Sequence, residues 1–232
     1  GQYSFDTSSP IGEGTWEASY WATQTALAAT DAVFAGDRYA FAFCRPPGHH
    51  CGADYLGGYC YLSNAAIATE HAVAAGRRVA ILDVDYHHGN GTQDIFYDRA
   101  DVQVLNLHGD PMVEYPFFLG HADERGAGAG EGFNINYPMP FGTDWDAWSA
   151  SLEDACGKLA AYAPDIVIVS LGVDTFEKDP ISQFKLKSPD YPKIGRRIAR
   201  LGLPTLFVME GGYAVEEIGI NAVGVLTGFE DR

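Results

Sequence analysis

Apolar, β-branched runs alternate along this chain with stretches whose apolar positions recur at helical spacing. The runs are YAFAFC (39–44), RVAILDVD (78–85), VQVLNLH (102–108), DIVIVSLG (165–172) and PTLFVME (204–210). Their hydrophobicity is continuous rather than alternating, as it is in strands buried on both faces. With helices between them, they predict an α/β domain built on an open, mainly parallel sheet with helices on both faces. Ser63 is placed to cap a helix ending near Gly76, and Ser188 followed by Pro189 opens one ending near Gly202. Trp145–Tyr162 and Val215–Leu226 also read as helices.

The segments that follow the runs are RPPGHH, DVDYHHGNGTQD, NLHGDP, GVDTFEKDP and EGGY, and they contain five of the seven histidines. Open α/β sheets bind ligands in the crevice beyond the carboxyl ends of their strands, so the five segments are expected to converge on one pocket. DVDYHHGNG carries the strongest local signal. In an extended chain alternate side chains share a face, which puts Asp83, Asp85 and His87 on one side and Val84 and Tyr86 on the other. Two carboxylates and an imidazole on one face suit a cation, and Asp85 with His87 supplies oxygen and nitrogen donors for zinc or another first-row divalent ion. Asp174, at the end of SLGVD, is the best third ligand because it follows another buried strand and enters a loop; an ordinary turn aspartate is the alternative.

A metal with three protein ligands and one open position polarises an amide carbonyl and acidifies water. An imidazole of the pair His49–His50 would then act as general base toward the water and general acid toward the leaving amine. Tyr213, following two glycines in EGGY, would aim its phenol at the developing oxyanion, with a packed core tyrosine as the alternative.

Composition narrows the class. At 232 residues and 47% hydrophobic, the chain has the length for one large domain, 1–232, rather than two. It contains no run of about 18 uncharged apolar residues and no basic-then-apolar leader, so a soluble, unexported protein with no membrane partner is expected. Cys44, Cys51, Cys60 and Cys156 form no C-x-x-C pair, which favours reduced thiols and a cytoplasmic location. The 31 acidic against 15 basic residues, a net charge of −16, oppose a nucleic-acid partner and favour a cationic ligand.

With these residues assembled, the chain resembles the histone deacetylase superfamily, and within it the bacterial acetylpolyamine amidohydrolases. RPPGHH, GGYCYLSNAAIA, ILDVDYHHGNGTQDIFY, LHGDP, SLGVDTFEKDPIS and MEGGY carry the likeness, in that order, between Phe5 and Leu226. The resemblance implies an arginase/deacetylase-like sheet and one zinc ion per chain held by Asp85, His87 and Asp174. It casts His50 as general base and His49 as its electrostatic partner beside Asp83. Asn90 falls beside His50, where some relatives carry aspartate, and an amide there leaves His50 less basic. A potassium ion beneath the zinc maps to Asp83, the backbone carbonyls at Asp85, His87 and Leu107, and the side chain of Asn106. Tyr59, Tyr115 and Ile181 fall on the walls of the substrate channel, with stacked core tyrosines as the alternative for the first two. The family's usual amino-terminal strand, helices and channel-rim loop, which carry the dimer contact in the polyamine enzymes, have no counterpart among these residues; a homodimer stays open.

The expected function is therefore zinc-dependent removal of acetyl groups from acetylated polyamines or related short cationic amines. A protein acetyl-lysine deacetylase is the alternative, followed by a non-catalytic binding module. A ureohydrolase of the arginase type would need more aspartates, to hold two manganese ions.

Overall fold

The computed structural model describes residues 3–231. Two short strands, β1 (Tyr3–Ser4) and β2 (Pro10–Ile11), pair antiparallel near the start. The five apolar runs become β3 (Tyr39–Ala42), β4 (Val79–Asp83), β5 (Val102–Gly109), β7 (Ile166–Leu171) and β8 (Thr205–Met209). A sixth strand, β6 (Asn134–Met139), completes a sheet of order β3-β8-β7-β4-β5-β6 in which every pairing is parallel. The pattern had not marked β6, because its sequence NINYPM puts asparagine where a core strand would carry valine or leucine.

Among the described residues six α-helices accompany the strands, five before or between sheet strands and the last after β8: α1 (Thr15–Phe34), α2 (Asn64–Ala74), α3 (Asn90–Phe96), α4 (Trp145–Tyr162), α5 (Tyr191–Ala199) and α6 (Ile218–Glu230). α2 and α4 follow their predicted ranges; α5 is introduced by a single 3-10 turn at Ser188–Asp190, and α6 lies further along the chain than expected. α1 and α3 were not anticipated. The buried face of α1 is made of small residues such as Ala22, Ala26 and Thr30, while Trp16, Tyr20 and Trp21 stand exposed, so its hydrophobic stripe is faint.

Successive residues of each central strand feed opposite layers. Val79 and Ile81 of β4, Ile166 and Ile168 of β7, and Leu206 and Val208 of β8 pack against the alanine faces of α1 and α2. Ala80 and Leu82, Val167 and Val169, and Phe207 pack against Trp148 and Leu152 of α4, Ile194 and Ile198 of α5, and Val225 and Phe229 of α6. Each of the larger side chains, fully buried, contributes about 1.5–3 kcal/mol. This double burial is why the strands read as unbroken apolar runs.

The order of the strands fixes where chemistry can sit. From β4 the chain moves outward to β5 and β6, then returns to the other side of β4 with β7 and β8. Connections diverge at that reversal and leave a crevice beyond the carboxyl ends of β4 and β7.

Candidate active site

β4 stops at Asp83, and the chain beyond it turns instead of extending. The expected strand alternation of Asp83, Asp85 and His87 is therefore not what gathers them. Asp83 Oδ1 accepts the Asp85 N–H at 3.0 Å and Asp85 Oδ1 accepts the His87 N–H at 2.8 Å, two successive aspartate-capped turns that fold the segment inward. Asp174, beyond β7, meets them: candidate ligand atoms of Asp85, His87 and Asp174 all lie within 4.8 Å of one another, and all three residues are buried. His87 Nδ1 is 2.9 Å from Asp174 Oδ2 and 3.4 Å from Asp85 Oδ1. The remaining carboxylate oxygens are fixed by backbone, Asp85 Oδ2 by the Gly211 N–H and Asp174 Oδ1 by the Tyr86 N–H, each at 2.8 Å. A Cβ on Gly211 would stand 2.6 Å from Asp85 Oδ2, so the chain leaving β8 closes on the site as only glycine allows.

Electrostatics say what this cluster lacks. Burial opposes a charged His87, yet its hydrogen bonds to Asp174 and Asp85 outweigh that and lift its pKa to about 10. Burial, and then the charge of Asp85, lift Asp174 to about 7. A pocket that holds protons so tightly is short of positive charge, and one nitrogen with two carboxylate donors suits zinc or another first-row divalent ion.

The turn after β3 delivers both His49 and His50, buried, with ring centroids 4.1 Å apart. Their partners differ. His49 Nδ1 lies 2.9 Å from Asp83 Oδ2; burial alone would lower its pKa, but Asp85 and Asp83 overcome this and hold it well above the usual imidazole range. His50 Nδ1 lies 2.8 Å from Asn90 Oδ1, and Asn90 Nδ2 donates to the Tyr55 hydroxyl at 3.3 Å, which makes Oδ1 the acceptor and leaves His50 Nε2 with a free lone pair. Burial, reinforced by the neighbouring His49 and His87, holds the His50 pKa well below its usual value. The two rings are thus pushed in opposite directions, His49 toward its cation and His50 toward its neutral form.

A cavity of about 310 Å³ opens onto this cluster. His50, His87 and Tyr213 line its depth, Tyr59, Tyr115 and Ile181 its walls, and Asp6 and Glu114 are its carboxylates. Tyr115 stands edge-on to His50 at 4.8 Å, and Tyr59 lies 5.7 Å from Tyr213. Burial, then Asp174 and Asp85, raise the Tyr213 pKa far above that of a free phenol, so its O–H remains a donor. A larger recess of about 460 Å³ between α4 and α5, lined by Lys193, Arg196, Arg197 and Arg200, contains none of these residues.

Below the cluster, Asn106 Oδ1 is buried and accepts no hydrogen bond among the described residues. A Cβ on Gly89 would meet Asp83 Oδ2 at 2.4 Å and Asn106 Oδ1 at 3.0 Å. An orphaned carbonyl oxygen facing a carboxylate across bare backbone is an oxygen-lined niche that fits a hard cation. Leu107, from the same strand, is fully buried.

Two of the five strand-end histidines do not converge. His88 and His108 pack against each other, tilted by 53° with ring centroids 4.7 Å apart, bonded to Gln93 and to the Gly109 carbonyl, and neither lines the cavity. Two carboxylates escaped sequence reasoning, although both lie in the quoted segments. Asp179 accepts the N–H groups of Tyr213 (2.7 Å), Ala214 (3.3 Å) and Ile181 (3.1 Å), and so ties the tyrosine segment to the wall. Glu210 is 1% exposed and forms with His49 and Cys60 a second buried group of potential ligands. All four cysteines are free and buried.

A family model described as "Histone deacetylase domain" matches residues 2–228. Acetylpolyamine amidohydrolase 1 of Pseudomonas aeruginosa is 67% identical over 231 residues, covering 99% of this chain and 67% of that protein. Acetylpolyamine amidohydrolase 2 of the same organism is 62% identical, with the same coverage. Among solved structures, an acetylpolyamine aminohydrolase from Burkholderia pseudomallei superposes with a TM-score of 0.95 at 47% identity, over 99% of this chain and 67% of that one.

Proposed function

Because the chain belongs to the histone deacetylase domain family, we propose that it is a zinc-dependent amidohydrolase that removes acetyl groups from acetylated polyamines. The observation that carries this reading is the meeting, at one aromatic-walled cavity, of three buried donors, Asp85, His87 and Asp174, with two buried histidines bonded to different partners, Asp83 and Asn90. Zinc is assigned on the donor set of Asp85, His87 and Asp174, and bound there it would supply Lewis acidity toward the amide carbonyl and toward water. Potassium is assigned to the niche of Asp83 and Asn106, with the carbonyls at Asp85, His87 and Leu107 as further donors.

The side chains divide the remaining work. His50, neutral and facing the cavity, takes the proton of the attacking water on Nε2 and returns it to the leaving amine. His49, pushed toward its cation by Asp85 and Asp83, does not move its proton; it offsets the charge of the carboxylates and sets the basicity of its neighbour. The Tyr213 hydroxyl donates to the carbonyl oxygen as negative charge develops there. Tyr59, Tyr115 and Ile181 enclose the aliphatic part of the substrate, and the carboxylates Asp6 and Glu114 favour a protonated amine further out. Four free thiols suit a reducing compartment, which supports a cytoplasmic location.

Metal analysis with steady-state assays on N-acetylputrescine, N-acetylspermidine and an acetyl-lysine peptide tests the reading. One divalent ion per chain and the highest kcat/KM on the acetylpolyamines are expected. A metal-free active protein would remove the mechanism; preference for the peptide would make the enzyme a protein deacetylase.

A further inference from the structure

The turn that carries the tandem histidines has no regular secondary structure to hold it. His49 is fixed from one side by α3, whose Gly91 and Thr92 N–H groups donate to the His49 carbonyl at 3.0 and 3.2 Å. On the other side Asn64 Nδ2 donates to the Pro46 carbonyl at 3.1 Å, and the N–H groups next to the rings depend on one carboxylate. Glu210 Oε2 accepts the Gly48 N–H at 2.7 Å and the His49 N–H at 3.1 Å, and no other acceptor serves either N–H among the described residues. Its second oxygen lies 3.4 Å from the Ser170 hydroxyl of β7. The carboxylate is buried, so bulk water does not compete with it for these N–H groups.

Glu210 sits at one end of a four-residue stretch that serves three parts of the site. The next residue, Gly211, donates its N–H to Asp85 Oδ2, and Tyr213 ends the stretch. We propose that Glu210 is a positioning residue: by accepting both N–H groups of the turn, it sets the place of the tandem histidines relative to Asp85 and Tyr213. The inference rests on the amidohydrolase reading, because it assigns a consequence for turnover. What it requires of position 210 is an oxygen acceptor at glutamate's reach, not a charge. Placement errors near 1 Å at a reacting group cost on the order of 10²-fold in rate, while binding along the channel walls is left intact.

The test compares Glu210→Gln, Glu210→Asp and Glu210→Ala. Gln keeps an acceptor oxygen at the same reach and can donate its amide to Ser170; Asp is one methylene short. With N-acetylputrescine as substrate, Gln is expected to retain kcat within about fivefold, whereas Ala loses about 10²-fold, with KM and metal content close to wild type in both. Asp should fall between them. Equal losses in Gln and Ala would mean that the charge matters and would overturn the proposal, as would an Ala variant with unchanged kcat or one that loses its metal. If Ala does not fold, Gln and Asp decide: Asp as active as Gln refutes the reach argument. Amide exchange over residues 45–51, read by mass spectrometry, needs no turnover; it should accelerate in Asp and Ala and stay slow in Gln. Wild-type inactivity on N-acetylputrescine would thus overturn the acetylpolyamine reading alone, while unchanged exchange in Asp and Ala would overturn this one.

Discussion

Asn90→Asp changes one atom type beside His50 and should move the pH dependence of the enzyme. In the native protein the Nδ1–H of His50 donates to a neutral amide oxygen at 2.8 Å, and burial keeps the ring uncharged well below its usual pKa. A carboxylate there places a full negative charge about 4 Å from the centre of the imidazolium, worth about 4 kcal/mol at an effective dielectric constant of about 20. At about 1.4 kcal/mol per pKa unit the ceiling is roughly 3 units, and the cost of burying the new carboxylate brings the expected rise to about 1–3 units. The Tyr55 hydroxyl, which now accepts from Asn90 Nδ2 and donates to the Asn90 carbonyl at 3.4 Å, can turn that long bond to the new oxygen. The neutral ring is the active base, so its contribution is present above its pKa and lost below it. A raised pKa therefore carries the acidic limb of kcat/KM to higher pH by the same 1–3 units, with about tenfold loss per unit below the new limb. Profiles of kcat/KM from about pH 5 to 9, taken with metal content checked in both proteins, measure the shift. A bound metal lowers the His50 pKa in both and leaves the difference. A limb that stays in place, or moves to lower pH, would show that His50 is not the titrating base.

Replacing Asp174 with alanine should remove metal and activity together, since the change deletes one of the three proposed donors and leaves His87 without its nearer carboxylate; full metal content in that variant would remove Asp174 from the ligand set. Tyr213→Phe should keep fold and metal while lowering kcat by roughly 10²- to 10³-fold, the usual loss for one oxyanion donor, and an unchanged kcat would reduce Tyr213 to a wall residue. Acetylated di- and polyamines should show higher kcat/KM than neutral N-alkylacetamides, with the advantage shrinking, mainly through KM, as ionic strength rises from about 0.01 M to about 1 M. Equal hydrolysis of neutral and charged substrates at low salt would contradict electrostatic selection by this acidic protein.

How much of this was written in the sequence depends on what kind of interaction places each residue. β4, β7 and β8 were legible because both faces of each are buried, which leaves long apolar runs; β5 was legible although Gln103, Asn106 and His108 lie within it, because Val102, Val104, Leu105 and Leu107 keep it apolar. β6 was not, because Asn134 and Asn136 point into a polar cluster around Gln93 and break the apolar run. Asp85, His87 and Asp174 could be found because their residue types name their chemistry and because strand ends in an open sheet converge. Glu210 and Asp179 could not. Each binds backbone N–H groups far along the chain, and a backbone N–H looks the same at every position of a sequence.

The two His–His pairs show the limit most directly. HH occurs at 49–50 and at 87–88, each just beyond a strand, and composition cannot tell them apart. At 49–50 the turn is held at both ends of one residue, its N–H by Glu210 and its carbonyl by the start of α3, and both rings enter the site. At 87–88 the aspartate-capped turn brings His87 onto Asp85 and Asp174, and His88 is turned to Gln93 and His108 instead. Which imidazole enters the candidate site follows from hydrogen bonds that fix the backbone around it, and those bonds become visible only once the chain is folded.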